Sequence, residues 1–124
     1  MKKTLTAITI AVAALLSMAA CASPAQAPSI AVTSSTVIID VRTAPEYVGG
    51  HLQDAINIDV QSPDFNTLIA TLPLDGDYII YCATGNRSAA AVIRMGDLGF
   101  TTLTDAGGVT DASAATGLAI VVDK

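Results

Sequence analysis

The chemistry in this 124-residue chain concentrates in one run, Cys82-Ala83-Thr84-Gly85-Asn86-Arg87-Ser88. A thiol opens it, a guanidinium stands near its end, and small or polar residues fill the space between. Such a stretch can curl so that successive backbone N–H groups point inward, with Gly85 free to take angles that other residues resist. Inward N–H groups at the start of a helix hold an anion without help from a charged side chain. The same field acidifies Cys82, because thiols at helix N-termini ionise readily. Arg87 adds a planar cation for an oxyanion, although a cation at a helix N-terminus opposes the macrodipole. Ser88 either caps the helix or donates to a bound group. The implied chemistry is covalent: a thiolate takes a group from an anion, holds it and passes it to a second nucleophile, with ping-pong kinetics.

That reading requires Cys82 at the C-terminal end of a buried strand, the edge where open parallel sheets bind ligands. Tyr78-Ile79-Ile80-Tyr81 supplies the strand, and an Ala-rich helix from Ser88 to Leu98 follows, with Gly99 in place for its C-terminus. Val37-Ile38-Ile39 is a β-branched run that suits a strand buried on both faces, and Ala55-Ile56-Asn57-Ile58 is a shorter strand. Ser62-Pro63-Asp64 places a cap, a proline and an acid at a helix start, so a helix is expected through about Leu72. Pro73 and Asp75-Gly76-Asp77 stop it. Thr101 to Thr104 is β-prone, Gly107-Gly108 marks a turn, Ala112 to Thr116 forms a short helix, and Leu118 to Val122 a last strand or packed tail. Strands alternating with helices give an α/β fold: a mostly parallel, twisted central sheet flanked by helices on both faces.

The first residues follow a different grammar. Lys2 and Lys3 precede an apolar run from about Ala7 to Ala20, and small residues surround Cys21. This is the pattern of an export signal, too short and Ala-rich for a membrane span of roughly 20 apolar residues. The expected organisation is a signal segment over 1–21, a flexible Ser/Pro/Ala/Gln tether over 22–29 and one domain over 30–124. Met18-Ala19-Ala20-Cys21 resembles a bacterial lipobox, which would lipidate Cys21 and attach the protein to a membrane. Ala25-Gln26-Ala27 and Ala20-Cys21-Ala22 instead fit cleavage to a soluble periplasmic or extracellular product. Either route places the protein in a bacterial cell envelope or beyond it. Removing the segment leaves four Lys and Arg against eleven Asp and Glu, a charge of about −7, which disfavours nucleic acid as a partner. With Cys21 lipidated, Cys82 is the remaining thiol, so a disulfide-stapled scaffold is excluded.

The loop C-A-T-G-N-R-S resembles the active-site loop of the rhodanese family. A second array agrees in order and distance: Asp40-Val41-Arg42, Glu46-Tyr47, Gly50-His51-Leu52 and Ala55-Ile56-Asn57-Ile58. The likeness covers about Val37 to Gly108 and is greatest to single-domain, exported bacterial thiosulfate sulfurtransferases. It implies that Cys82 attacks the outer sulfur of thiosulfate or a similar small anionic donor. The resulting persulfide passes its sulfur to cyanide, a small thiol or a protein thiol, with no metal or organic cofactor. By the same resemblance Ala83, Thr84, Gly85, Asn86, Arg87 and Ser88 would form the substrate cradle, and Arg42 would line or brace its mouth. Asp40, Glu46 and His51 are expected to be structural. The chain departs from many relatives after Gly107-Gly108, where Val109 stands in place of an aromatic residue. Two rival readings remain: a non-enzymatic sulfur-carrier, redox-sensing or protein-binding module of the envelope, and a cysteine-dependent phosphatase or arsenate reductase. The active-site loops of those enzymes resemble Cys and Arg with five residues between them; here only four intervene between Cys82 and Arg87, and each residue spans at most roughly 3.3–3.6 Å, so the cradle is smaller.

Overall fold

The computed structural model describes residues 29–124. The signal segment, Cys21 and all but the last residue of the tether lie outside the described residues. In chain order the elements are β1 (Thr36–Asp40), α1 (Ala44–Val48), β2 (His51–Leu52), β3 (Ile56–Asn57), α2 (Phe65–Ile69), β4 (Asp77–Cys82), α3 (Asn86–Asp97), β5 (Thr102–Gly108), α4 (Val109–Thr116) and β6 (Ile120–Val121). Four of the strands make one sheet in the order β3-β1-β4-β5, and every pairing in it is parallel. The β-branched run Val37-Ile38-Ile39 lies in β1, next to β4 at the centre, as its composition requires.

Side-chain alternation along the two central strands builds two cores, one on each face. Ile39, Tyr78, Ile80 and Cys82 pack with Phe65 and Ile69 of α2 and with Ala91 and Met95 of α3. Ile38, Ile79 and Tyr81 turn the other way, toward Ala112 of α4 and the partly buried Tyr47 of α1. The sheet is therefore covered by helices on both faces, the α/β arrangement the pattern implied. Tyr78 and Tyr81 are buried without stranding their hydroxyls. Tyr78 donates to the Pro73 carbonyl at 2.6 Å, and the Tyr81 oxygen accepts the Leu52 N–H at 3.0 Å.

Several boundaries differ from the sequence reading. The helix expected from Ser62 to Leu72 shrinks to α2. Ser62 Oγ accepts the Asp64 N–H at 3.2 Å in a local turn, so Ser62 caps no helix and Asp64 takes the N-cap position. At the other end Thr71 and Leu72 bond back three residues, to Leu68 and Ile69, and this tighter turn ends α2 before Pro73. Gly107-Gly108 closes β5 and leads directly into α4, so it is no separate turn, and α4 begins three residues before Ala112. The last strand narrows to β6, which pairs antiparallel with β2 in a separate two-stranded clasp. Neither α1 nor β2 was expected from periodicity. In α1 Glu46 supplies the order, accepting both the Thr43 N–H at 3.0 Å and the Thr43 hydroxyl at 2.8 Å.

Candidate active site

β4 delivers Cys82 and stops there, leaving the thiol at the C-terminal edge of the sheet between β1 and β5. Gly85, with φ 104° and ψ −18°, turns the chain into α3 as its N-cap, a conformation that a side chain would resist. The turn folds the loop over the sulfur: the Gly85 N–H donates to Cys82 Sγ at 3.0 Å. Burial raises the thiol's pKa, but hydrogen bonds from the Ser88 hydroxyl and from the N–H groups of Ser88, Gly85 and Thr84 outweigh it. The net direction is downward from the ordinary thiol value, as a cradle of oriented amides at a helix start should produce. Cys82 is unpaired and 0% exposed, so the sulfur lies on the floor of the loop.

A β-bulge forms the adjoining wall. Ile80 pairs with Asp105, yet Cys82 pairs with Gly108, so β5 spends an extra residue where β4 ends. Gly107 has φ 74°, and the bend brings Gly107 and Gly108 against the loop. A Cβ on Gly85 would lie 3.6 Å from Gly107 Cα, and a Cβ on Gly108 would lie 2.6 Å from the Ala83 carbonyl oxygen. The bulge is held by Asp105: its Oδ1 accepts the Gly107 N–H at 2.9 Å and the Ser88 hydroxyl at 2.7 Å. Ser88 Oγ lies 3.6 Å from Cys82 Sγ.

Both arginines near this edge carry carboxylates. Arg87 meets Glu46 through two parallel bonds, Nη1 to Oε2 and Nη2 to Oε1, each 2.8 Å. This pair answers the conflict between Arg87 and the helix dipole. The Arg87 guanidinium holds the Glu46 carboxyl well below the usual carboxylate range; burial opposes this, while bonds from Thr43 add to it. Arg42 donates to both oxygens of Asp40, down to 2.6 Å, and to the Gly50 carbonyl at 2.6 Å. Its guanidinium also sits 5.7 Å from the centre of the Tyr81 ring.

The structure thus brings Cys82, Gly85 and Ser88 together by direct hydrogen bonds. Arg87 stands at the loop's end tied to α1, and Arg42 is tied to β1 through Asp40. Ala83 is half-buried, while Thr84 and Asn86 are exposed, with no side-chain hydrogen bond among the described residues. His51 is buried, its Nδ1 bonded to the Tyr47 carbonyl at 2.9 Å and its ring stacked 3.8 Å from that of Tyr47. Two residues of the site escaped the sequence reading in that role. Glu46 had a signal in its position three residues after Thr43, a capping-box spacing. Asp105 had none, since nothing in a β-prone stretch announces a bulge.

Comparison with known proteins bears on this geometry. A family model described as a rhodanese-like domain matches residues 23–114. Thiosulfate sulfurtransferase PspE of Escherichia coli is 36% identical over 75 residues, 59% of this chain and 70% of that protein. Thiosulfate sulfurtransferase GlpE of Pseudomonas fluorescens is 35% identical over 65 residues, 52% of this chain and 57% of that protein. A solved rhodanese with anions from E. coli superposes with a TM-score of 0.60 at 27% identity, covering 71% of this chain and 99% of the other.

Proposed function

The chain belongs to the rhodanese-like domain family, and on that premise we propose that it is a sulfurtransferase working through a Cys82 persulfide. The observation that carries the reading is the Gly85 N–H on Cys82 Sγ at 3.0 Å, within a loop that opens α3. In the first half reaction the Cys82 thiolate attacks the outer sulfur of thiosulfate. The S–S bond of the donor breaks, sulfite leaves with the bonding pair, and Cys82 keeps the sulfur as a persulfide anion. In the second half a nucleophilic acceptor attacks the outer sulfur, and the electron pair of the Cys82 S–S bond returns to Sγ. No net oxidation or reduction of the protein occurs across the cycle.

Backbone N–H groups along Ala83–Ser88 receive the anionic part of the donor, and the helix start of α3 favours its charge. Thr84 and Asn86, exposed at the rim, contact the donor or acceptor, and Arg42 braces the mouth behind Tyr81. Two PspE- and GlpE-type relatives named thiosulfate sulfurtransferases support thiosulfate as donor. Cyanide, a small thiol or a protein thiol serves as acceptor. Lys2, Lys3 and the small residues around Cys21 support export to the cell envelope, with lipidation of Cys21 or release after an A-x-A site. No helix among the described residues is long and apolar enough to cross a membrane.

Intact mass of the purified protein, before and after thiosulfate, tests the chemistry. A gain of about one sulfur atom, reversed by cyanide and absent from Cys82→Ser, is the expected result. A parent protein that gains no mass would leave Cys82 a structural thiol and favour the non-enzymatic binding module.

A further inference from the structure

A chain of two contacts links the buried sulfur to an exposed carboxylate: Cys82 Sγ to Ser88 Oγ at 3.6 Å, then Ser88 Oγ to Asp105 Oδ1 at 2.7 Å. A serine hydroxyl has one proton to give. Three acceptors surround it here: Asp105 Oδ1, the Gly85 carbonyl at 3.0 Å, and the sulfur once it is ionised. The carboxylate is closest and charged, and a charge-assisted bond is roughly twice as strong as a neutral one. With the hydroxyl proton on Asp105, Ser88 turns a lone pair toward Cys82. That arrangement suits the thiol, which donates to it, and diverts to the carboxylate the Ser88 hydroxyl bond that would otherwise stabilise the thiolate.

We propose that Asp105 is a positioning residue that holds the Ser88 hydroxyl proton away from Cys82, and so restrains both ionisation of the sulfur and its departure from the persulfide. The second effect rests on the sulfur-transfer reading; the first does not. On ionisation the thiol proton passes to solvent, and the thiolate retains the Gly85 N–H, but the Ser88 hydroxyl helps only after rotating off the carboxylate. When an acceptor takes the outer sulfur, the electron pair that returns to Sγ meets the same competition.

Other charges near the loop do not share this geometry. Arg87 of α3 is bound by Glu46 of α1, and Asp59 acts on Arg87 from the segment after β3. Asp111, in the first turn of α4, has Oδ2 4.0 Å from where a Gly107 Cβ would stand. Among the described residues, Asp105 alone of these carboxylates accepts the Ser88 hydroxyl. Because Asp105 Oδ1 also accepts the Gly107 N–H, Asp105→Asn keeps an acceptor oxygen in place and removes only the charge.

The test is a pH titration of thiolate ultraviolet absorbance in the full chain, with Cys82→Ser subtracted as the blank. This readout needs no reagent to reach the buried sulfur. Asp105→Asn should shift the titration to lower pH, raising the thiolate-to-thiol ratio below neutrality about fivefold. Asp111→Asn, which removes a nearby charge without touching Ser88, should leave the curve in place. In a Ser88→Ala background the Asp105→Asn shift should fall to less than about a third. No shift, an upward shift, or an equal shift from Asp111→Asn or in the Ser88→Ala background would overturn the proposal. Should Ser88→Ala fail to fold, the Asp111 comparison still decides between positioning and plain charge. Sulfur uptake measured on the same samples separates the two readings. A parent that takes up no sulfur but shows the Asp105 shift loses the transferase reading alone, and uptake with no shift removes the Asp105 role alone.

Discussion

Replacing Gly108 with alanine should damage the site without touching any side chain in it. Gly108 has φ −75° and ψ 160°, angles an alanine adopts without strain, so only space opposes the substitution. A Cβ there would stand 2.6 Å from the Ala83 carbonyl oxygen, whereas ordinary contact begins at 3.4 Å, so that carbonyl must withdraw by the difference, about 0.8 Å. The obstacle is backbone, with further contacts at Ala83 C and Thr84 Cα, at 3.3 and 3.4 Å, and no rotamer change relieves it. Overpacking of this kind costs about 1–3 kcal/mol, a fall in Tm of roughly 4–8 °C for each kcal/mol in a domain of this size.

The functional loss should exceed the stability loss. The peptide that carries the Ala83 carbonyl also carries the Thr84 N–H, one of the groups that draws the Cys82 pKa down. Moving it by most of an ångström misaligns the cradle, and a 1 Å misplacement costs about 100-fold in rate. Single-turnover persulfide formation from thiosulfate should therefore slow by about 10- to 100-fold, with the thiol titrating at higher pH. Gly96→Ala is the control: nothing lies within 4 Å of its Cβ position on the exposed face of α3, so stability should rise by about 0.5–1 kcal/mol. Parent-like melting together with parent-like sulfur uptake in Gly108→Ala would refute the claim that the bulge shapes the loop.

Two further substitutions test the arginines. Arg42→Leu leaves the Asp40 carboxylate, 0% exposed, without its guanidinium, and should cost about 3–5 kcal/mol in denaturant titrations; Asp40→Asn added to it should recover part of the loss. Glu46→Gln weakens a pair whose side chains are 24% and 35% exposed, so the cost should be at most about 1 kcal/mol and should shrink with salt. Because the folded Glu46 carboxyl sits below its ordinary value of 4.5, its contribution is present above that value and lost as pH falls through the folded value. The stability gap between parent and Glu46→Gln should therefore be widest near neutrality and close in acid.

Much of this fold was legible because its signals are local. A continuous β-branched run in β1, the apolar stretch of β4 and the glycine after α3 each specify an element without reference to anything distant. The Cys82 loop was legible for the same reason: thiol, turn glycine and helix start are contiguous, and the left-handed Gly85 sits where the turn needs it. What escaped depends on partners far away in sequence. β2 is two residues long and exists only because β6 returns to pair with it. Ser62-Pro63-Asp64 carries every residue of a helix start, yet the Ser62 hydroxyl closes a turn on Asp64 and the helix begins later. Asp105 belongs to the site through a register jump between two strands, which composition does not encode. Arg87 was readable as a cation beside the loop, but its engagement by Glu46, 41 positions earlier, was not.

That engagement changes where recognition of an anion must come from. With Arg87 bound by Glu46 and Arg42 by Asp40, neither guanidinium presents an unmatched charge, and Asp105 adds a negative one at the wall. In the proposed transfer an anionic donor meets its attraction in the backbone N–H groups of the loop and the start of α3, whose direction is set by Gly85 and by the bulge at Gly107-Gly108. Amides fixed in this way need no reorganisation when charge moves between donor and sulfur, whereas a flexible cation would follow the departing anion. Glu46→Gln separates the two arrangements. If the amides carry recognition, freeing Arg87 should lower the half-saturating thiosulfate concentration while the rate at saturation stays near that of the parent. A drop in the saturated rate instead would mean that the Glu46 bond to Arg87 holds the loop itself in shape.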